Sequence, residues 1–175
     1  MTGAGQRRGG AGGTKRLIVT IDGPAGTGKS TASRSLAGRL GLEFLDTGAM
    51  YRAATALALD RGVALKDGPA IAALVREAAL HFDWTTDPPA LLAFGESIMH
   101  RLRQDDVSNA VSPVSALPEV REALVDMQRR IGRKHPRLVT EGRDQGAVVF
   151  PDAEVKISLH ASAHVRAQRR SEQLI

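Results

Sequence analysis

The chain has no cysteine. That excludes disulfides, thiolate metal sites and a cysteine nucleophile, and it fits a reducing compartment; a cytoplasmic location is the expectation. Aromatic residues are scarce, with one tryptophan, one tyrosine and four phenylalanines scattered over 175 residues. Single-stranded nucleic acid usually meets interleaved aromatics on a basic groove, so no specific nucleic-acid partner is expected. No run of about 18 apolar residues exists, so no segment reads as a membrane-spanning helix. The basic N-terminus lacks the apolar stretch of a secretory signal. Acidic residues are absent from residues 1–21, where Arg7, Arg8, Lys15 and Arg16 carry four of the five net positive charges. The remainder is close to neutral. Residues 1–14, rich in glycine, read as a flexible leader, with salt-sensitive RNA contact as the competing reading. The five histidines have no metal-ligand spacing and no serine–histidine–acid arrangement.

What is present is concentrated in residues 17–40. Leu17, Ile18, Val19 and Ile21 predict a short buried strand. Gly23, Pro24, Ala25, Gly26, Thr27, Gly28, Lys29 and Ser30 follow, then a helix with Leu36 and Leu40 on its inner face. This is the phosphate-binding pattern Gly-x-x-x-x-Gly-Lys-[Ser/Thr] in its strand–turn–helix setting. Glycines leave backbone N–H groups free to curl around phosphate oxygens, and the helix N-terminus adds a favourable partial charge. Lys29 is placed to reach the β- and γ-phosphates of ATP, and the Ser30 hydroxyl to ligate Mg²⁺.

At this length one domain is expected, large enough for a core. A second strand is predicted over residues 42–45 and helices over 49–60, 70–80 and 118–131. Strands follow over 137–142 and 155–159, with a basic helix over 161–174. Strand and helix alternate, which predicts an α/β fold with a parallel sheet flanked by helices. Residues 80–107 break the pattern. They read as a small antiparallel insert with a third strand within 98–107, and 108–114 as a loop or helix start. In an open parallel sheet, ligands bind beyond the C-terminal strand ends. Asp22, Asp46, Thr47, Glu141, Arg143 and Asp144 fall there. Phosphoryl transfer needs positioning and cations more than covalent help, so Arg52, Arg121 and Arg143 become candidates. Arg121 could instead pair with Glu119 or Glu122 on its own helix, and Arg143 with Asp144.

The segments IDGPAGTGKST, LDTGAMYRAATALALDRG, VSNAVSPVSALPEVREAL and TEGRDQGAVVFPDAEVKISLHASAHVRAQRRSEQL, in this order, resemble bacterial cytidylate kinases from about Lys15 to Leu174. The resemblance implies a P-loop NTPase-type kinase domain over 15–175, with a monophosphate-binding insert at about 62–132. It implies ATP-dependent phosphorylation of CMP and dCMP with Mg²⁺, by a monomer. Residues Gly23 to Thr31 would hold ATP. Thr47, Arg52, Ser112, Arg121, Arg143 and Asp144 would hold the acceptor. Lys29, Arg143 and Asp144 would be catalytic, and Ser30 the metal ligand. Another small P-loop kinase, of the adenylate or dephospho-coenzyme A type, and a nucleotide-binding relative without catalysis are the alternatives. Relatives usually continue for several dozen residues beyond RRSEQL into a mobile lid and a last core strand. The expectation is therefore a fragment or shortened form of an active kinase.

Overall fold

The computed structural model describes residues 15–172; the leader expected over 1–14 lies outside them. Four strands form a parallel sheet in the order β2-β6-β1-β7. They are β1 (Leu17–Asp22), β2 (Glu43–Asp46), β6 (Arg137–Gly142) and β7 (Val155–Ser158). Side chains alternate across the sheet with the two-residue period of a strand. Ile18, Leu45 and Leu138 face one core; Val19, Ile21, Phe44 and Val139 face the other. Helix α1 (Lys29–Leu40) covers the second face. Helices α2 (Thr47–Asp60), α3 (Gly68–Glu77), α4 (Asp105–Ala116) and α5 (Pro118–Lys134) build the first. The α/β expectation holds, with helices on both faces.

Between α3 and α4 lies the antiparallel sheet, β3 (His81–Asp83), β4 (Ala90–Ala93) and β5 (Glu96–Ser97). The third strand is not where the sequence placed it. It ends at Ser97, the Ile98 N–H still donates to the Leu91 carbonyl at 3.0 Å in register with the Leu92–Ser97 pair, and the chain then turns over residues 99–103. Arg101 closes this turn by pairing with Asp60 at 2.7 Å and Asp106 at 2.9 Å. Residues 108–114 are the interior of α4, not a loop. Asp105 and Asp106 favour its N-terminal turn, and the fully buried Val107 and Val114 hold it in place despite Pro113.

Two other details differ from the sequence reading. On α1 the buried residues are Ser33 and Ala37, while Leu40 is 46% exposed. Small residues let this helix lie close against the sheet, with Leu36 rather than Leu40 packed against the core. After β6, residues Gln145–Val149 form a π-helical turn that periodicity did not announce. The basic C-terminal helix, α6, runs over Ala163–Glu172. Strand β7 is one of the two outer strands of this sheet among the described residues, and its Val155 and Ile157 are exposed. No described helix is long and apolar enough to cross a membrane.

Gly132 shows how closely α5 meets the π-turn. A Cβ there would lie 2.4 Å from Phe150 Cε1, and Phe150 is itself 5% exposed. Alanine gains about 1 kcal/mol of helix propensity over glycine, but overpacking a core costs about 1–3 kcal/mol. Gly132→Ala is expected to lower stability by about 1 kcal/mol in urea unfolding. A stability gain would mean that the Phe150 ring yields freely.

Candidate active site

The sheet register brings the polar strand ends level. Asp22 aligns with Gly142 and Ser158, and Asp46 with Glu141. The loop 23–28 leaves β1 from this edge. Its entry is tight, because a Cβ on Gly23 would fall 2.2 Å from the Leu159 carbonyl oxygen. It ends at Gly28, whose φ of 89° lets the chain enter α1 without a side-chain cap. The N–H groups of that first turn are therefore left for a ligand. The Pro24 carbonyl accepts from the Thr27 hydroxyl at 3.0 Å and from Lys29 Nζ at 2.8 Å. Pro24, Ala25, Ser30 and Thr31 are exposed around this turn.

Lys29 is surrounded by charge. Burial lowers its ammonium below the usual lysine range, Glu141, Asp22 and Asp46 work against that, and Arg143 adds to the lowering. Glu141 is 4% exposed, and the Ser30 hydroxyl lies close enough to favour its charged form. Burial raises its carboxyl above the ordinary glutamate range, and the Asp46 carboxylate raises it further, although Ser30, Lys29 and Arg52 oppose the shift. A buried carboxylate held beside a second one is an environment that a cation relieves.

Asp22, one of the strand-end residues, spends its carboxylate on the backbone. Its two oxygens accept from the N–H groups of Gln145 at 2.7 Å and Gly146 at 2.8 Å. It anchors the π-turn. Asp144 is committed to Arg121, whose guanidinium donates to it. Of the four carboxylates at these strand ends, Glu141 alone stands against Ser30. Among the described residues no cluster of three metal-ligating side chains exists. Mg²⁺ commonly keeps waters and substrate phosphate oxygens, needing only one or two protein oxygens, so Ser30 and Glu141 suit it chemically.

The remaining predicted residues divide. Arg121 ignores its helix neighbours Glu119 and Glu122 and reaches Asp144, 23 residues on. Arg143 is exposed, with its charge felt at Lys29. Arg52 pairs with Asp46 at 3.0 Å, and Asp46 also caps α2 by accepting from the Ala49 N–H at 2.9 Å. The Thr47 hydroxyl points into the sheet, donating to the Glu141 carbonyl at 2.6 Å. It is 2% exposed, so in this conformation it holds β6 rather than reaching outward. Ser112 lies exposed on α4, and among the described residues no hydrogen bond ties it to Arg121 or Asp144.

Sequence reasoning missed three members of this cluster. Tyr51 lies within the electrostatic reach of Arg121 and Asp144, and burial pushes its phenol up. Behind it, Gln128 accepts from Gln145 Nε2 at 3.1 Å, and Gln145 accepts from the Thr140 hydroxyl at 2.9 Å. Both glutamines are buried. Signals existed: Tyr51 is one helical turn after Thr47, and Gln128 is two turns after Arg121 on the same face of α5.

Comparison with known proteins agrees with this geometry. The family model described as cytidylate kinase matches residues 19–175. The chain is 54% identical over 164 residues to the cytidylate kinase of Rhodococcus opacus (strain B4), covering 91% of this chain and 70% of that protein. It is 53% identical over 164 residues to that of Rhodococcus jostii (strain RHA1), with the same coverage. The cytidylate kinase of Methylococcus capsulatus is 49% identical over 158 residues, covering 90% of this chain and 70% of its own length. With most of its length matched by the family model and half its residues shared with curated members, the chain belongs to the cytidylate kinase family.

Proposed function

We propose that this protein transfers the γ-phosphoryl group of ATP to CMP and dCMP, yielding ADP and the corresponding diphosphate. The observation that carries the reading is the run from Glu141 to Asp144 at the end of β6. Its first residue faces Ser30 and Lys29 of the phosphate loop, and its last faces Arg121 and Tyr51. One four-residue stretch thus joins a triphosphate site to a second polar site. Membership in the cytidylate kinase family supports the pyrimidine acceptor.

In this mechanism residues 23–31 hold the ATP phosphates through backbone N–H groups, and Lys29 releases the Pro24 carbonyl to meet the γ-phosphate. Arg143, whose charge is already felt at Lys29, faces the charge that builds on the transferring group. The acceptor is an anionic phosphate, so no general base is needed. Arg52 meets that phosphate, and Ser112, Arg121, Asp144 and Tyr51 hold the base and sugar, with residues 62–132 as the acceptor-binding insert. Thr47 contributes by fixing the Glu141 backbone. Ser30 and Glu141 would hold Mg²⁺, which when bound supplies charge neutralisation at the β- and γ-phosphates.

ADP formation with CMP, dCMP, UMP and AMP compared side by side tests the assignment; activity on AMP alone would overturn it. Arg121→Ala removes the partner of Asp144 together with a donor to the acceptor. It is expected to weaken CMP binding by about 10–100-fold in calorimetry, with ATP binding unchanged. Equal loss for both nucleotides would instead mark a structural role.

A further inference from the structure

Gln128 is fully buried on α5, on the face that also carries the buried Leu124 and Val125. Its amide offers an acceptor oxygen and two donor hydrogens. The oxygen is used, because Gln145 Nε2 donates to Gln128 Oε1 at 3.1 Å. The Gln128 Nε2 is buried and has no hydrogen-bond partner among the described residues. A buried donor left unpaired is costly, so what lies beside it matters. The Tyr51 phenol lies there. Burial pushes that phenol up, and the Gln128 side chain is close enough to favour its charged form, as a donor to the phenol oxygen does.

Gln128 is braced from behind. Gln145 is 1% exposed and held at three points. Its N–H donates to Asp22 at 2.7 Å, its Oε1 accepts from the Thr140 hydroxyl at 2.9 Å, and its Nε2 donates to Gln128. Its side chain folds over Gly142, where a Cβ would come 2.8 Å from its Cγ and Nε2. A partner fixed in this way sets the Gln128 amide oxygen and leaves Nε2 for Tyr51. Tyr51 in turn links the core pair to the polar site, since Arg121 and Asp144 both act on its phenol. A phenol oxygen can accept one hydrogen bond and still donate another. An amide behind it therefore fixes the hydroxyl without using its hydrogen. We propose that Gln128 is a positioning residue, whose amide, braced by Gln145, holds the Tyr51 hydroxyl in the orientation that binds the acceptor nucleotide beside Arg121 and Asp144. This rests on the acceptor reading given above.

The test measures ADP formation against CMP concentration in the wild-type chain, Gln128→Met, Tyr51→Phe and the double variant, with thermal melts beside them. Methionine keeps an unbranched stem of similar volume without the amide. Each single variant is expected to raise the KM for CMP by about tenfold. Turnover and the KM for ATP should stay within about twofold of wild type, a split that general loosening of the core would not give. The double variant should also stay near tenfold, because Gln128 then has no hydroxyl to hold. A double variant near 100-fold, as independent sites give, overturns the proposal. So does an unchanged KM for CMP in Gln128→Met. The chain has one tyrosine, so its Cζ resonance at neutral pH reports hydrogen bonding at this phenol alone. That resonance is expected to move in Gln128→Met, and an unmoved one overturns the proposal. Should Gln128→Met fail to fold, Tyr51→Phe decides, with a raised KM for CMP supporting the proposal and an unchanged one overturning it. Should the wild-type chain form ADP with neither CMP nor dCMP, the acceptor reading fails, and the Cζ resonance alone then decides whether Gln128 holds the phenol.

Discussion

Lys29→Met is expected to lower phosphoryl transfer from ATP to CMP by about 10³-fold while leaving the fold intact. Removing one donor aimed at developing charge commonly costs about 10²–10³ in turnover, and Lys29 brings a full charge as well as a donor. The structure explains why the change should spare the fold. Methionine keeps the unbranched stem that runs beside the loop. The Pro24 carbonyl loses the ammonium but keeps the Thr27 hydroxyl. The ammonium is held in a place that disfavours it, since burial lowers its pKa and the acids Glu141, Asp22 and Asp46 only oppose that shift. A neutral side chain is relieved of that desolvation, so the melting temperature should stay near the wild-type value. Initial rates of ADP formation, read beside calorimetric ATP affinity, separate the two effects. Turnover within tenfold of wild type would remove Lys29 from the chemistry.

The parts of the fold that could be read from the sequence are those governed by short-range pattern. The apolar run in residues 17–21 and a helix starting at Lys29 place the phosphate loop, and both depend on neighbours within a few positions. The apolar stripe Ile71, Leu74, Val75 and Ala78 is buried as its spacing implies. Legibility stops where a side chain chooses between partners far apart in sequence. Arg121 has two acids within two positions and takes Asp144. Thr47 carries an outward-looking motif, yet its hydroxyl bonds the Glu141 carbonyl 94 residues on. Nothing in the local pattern marks Gln128 and Gln145, yet Gln145 donates to Gln128 in the core, where α5 packs behind the π-turn. The end of the insert was misjudged for a related reason. Its polar stretch is closed by the ion pairs of Arg101 with Asp60 and Asp106, and one of those partners lies 41 residues away.

Those long-range choices give the site its division of labour. Asp22 and Thr47 spend their polar atoms on backbone, which fixes the ends of β1, β2 and β6 relative to one another. Glu141 and Lys29 are left facing each other in a half-buried setting, each perturbed by burial in the direction that disfavours its charge. Strain of this electrostatic kind is tolerated where ligands complete the charge balance. A triphosphate would answer the cation and a metal ion the anion.

Glu141→Gln tests that balance, because stability and function should move in opposite directions. Glutamine preserves the shape and keeps an acceptor oxygen beside the Ser30 hydroxyl. It removes the carboxylate that Ser30 would share with Mg²⁺. Transfer is expected to fall by about 10²-fold, with half-saturation by Mg²⁺ shifted upward by about tenfold. Stability should not fall with it. The folded carboxyl titrates above its ordinary value of 4.5, chiefly through burial. Between the unfolded and folded pKa values the native state holds the proton more tightly, so the contribution of Glu141 to stability declines as pH rises through that window. Above the window the full penalty of a buried charge remains. The glutamine variant is free of it, so its stability relative to wild type should grow from pH 4 upward and level off above the raised pKa. Urea titrations across that range, paired with Mg²⁺ titrations of ADP formation, read both effects. A variant less stable than wild type at neutral pH would show that Lys29 and Arg52 already compensate the carboxylate. An unchanged Mg²⁺ requirement would remove Glu141 from the metal site.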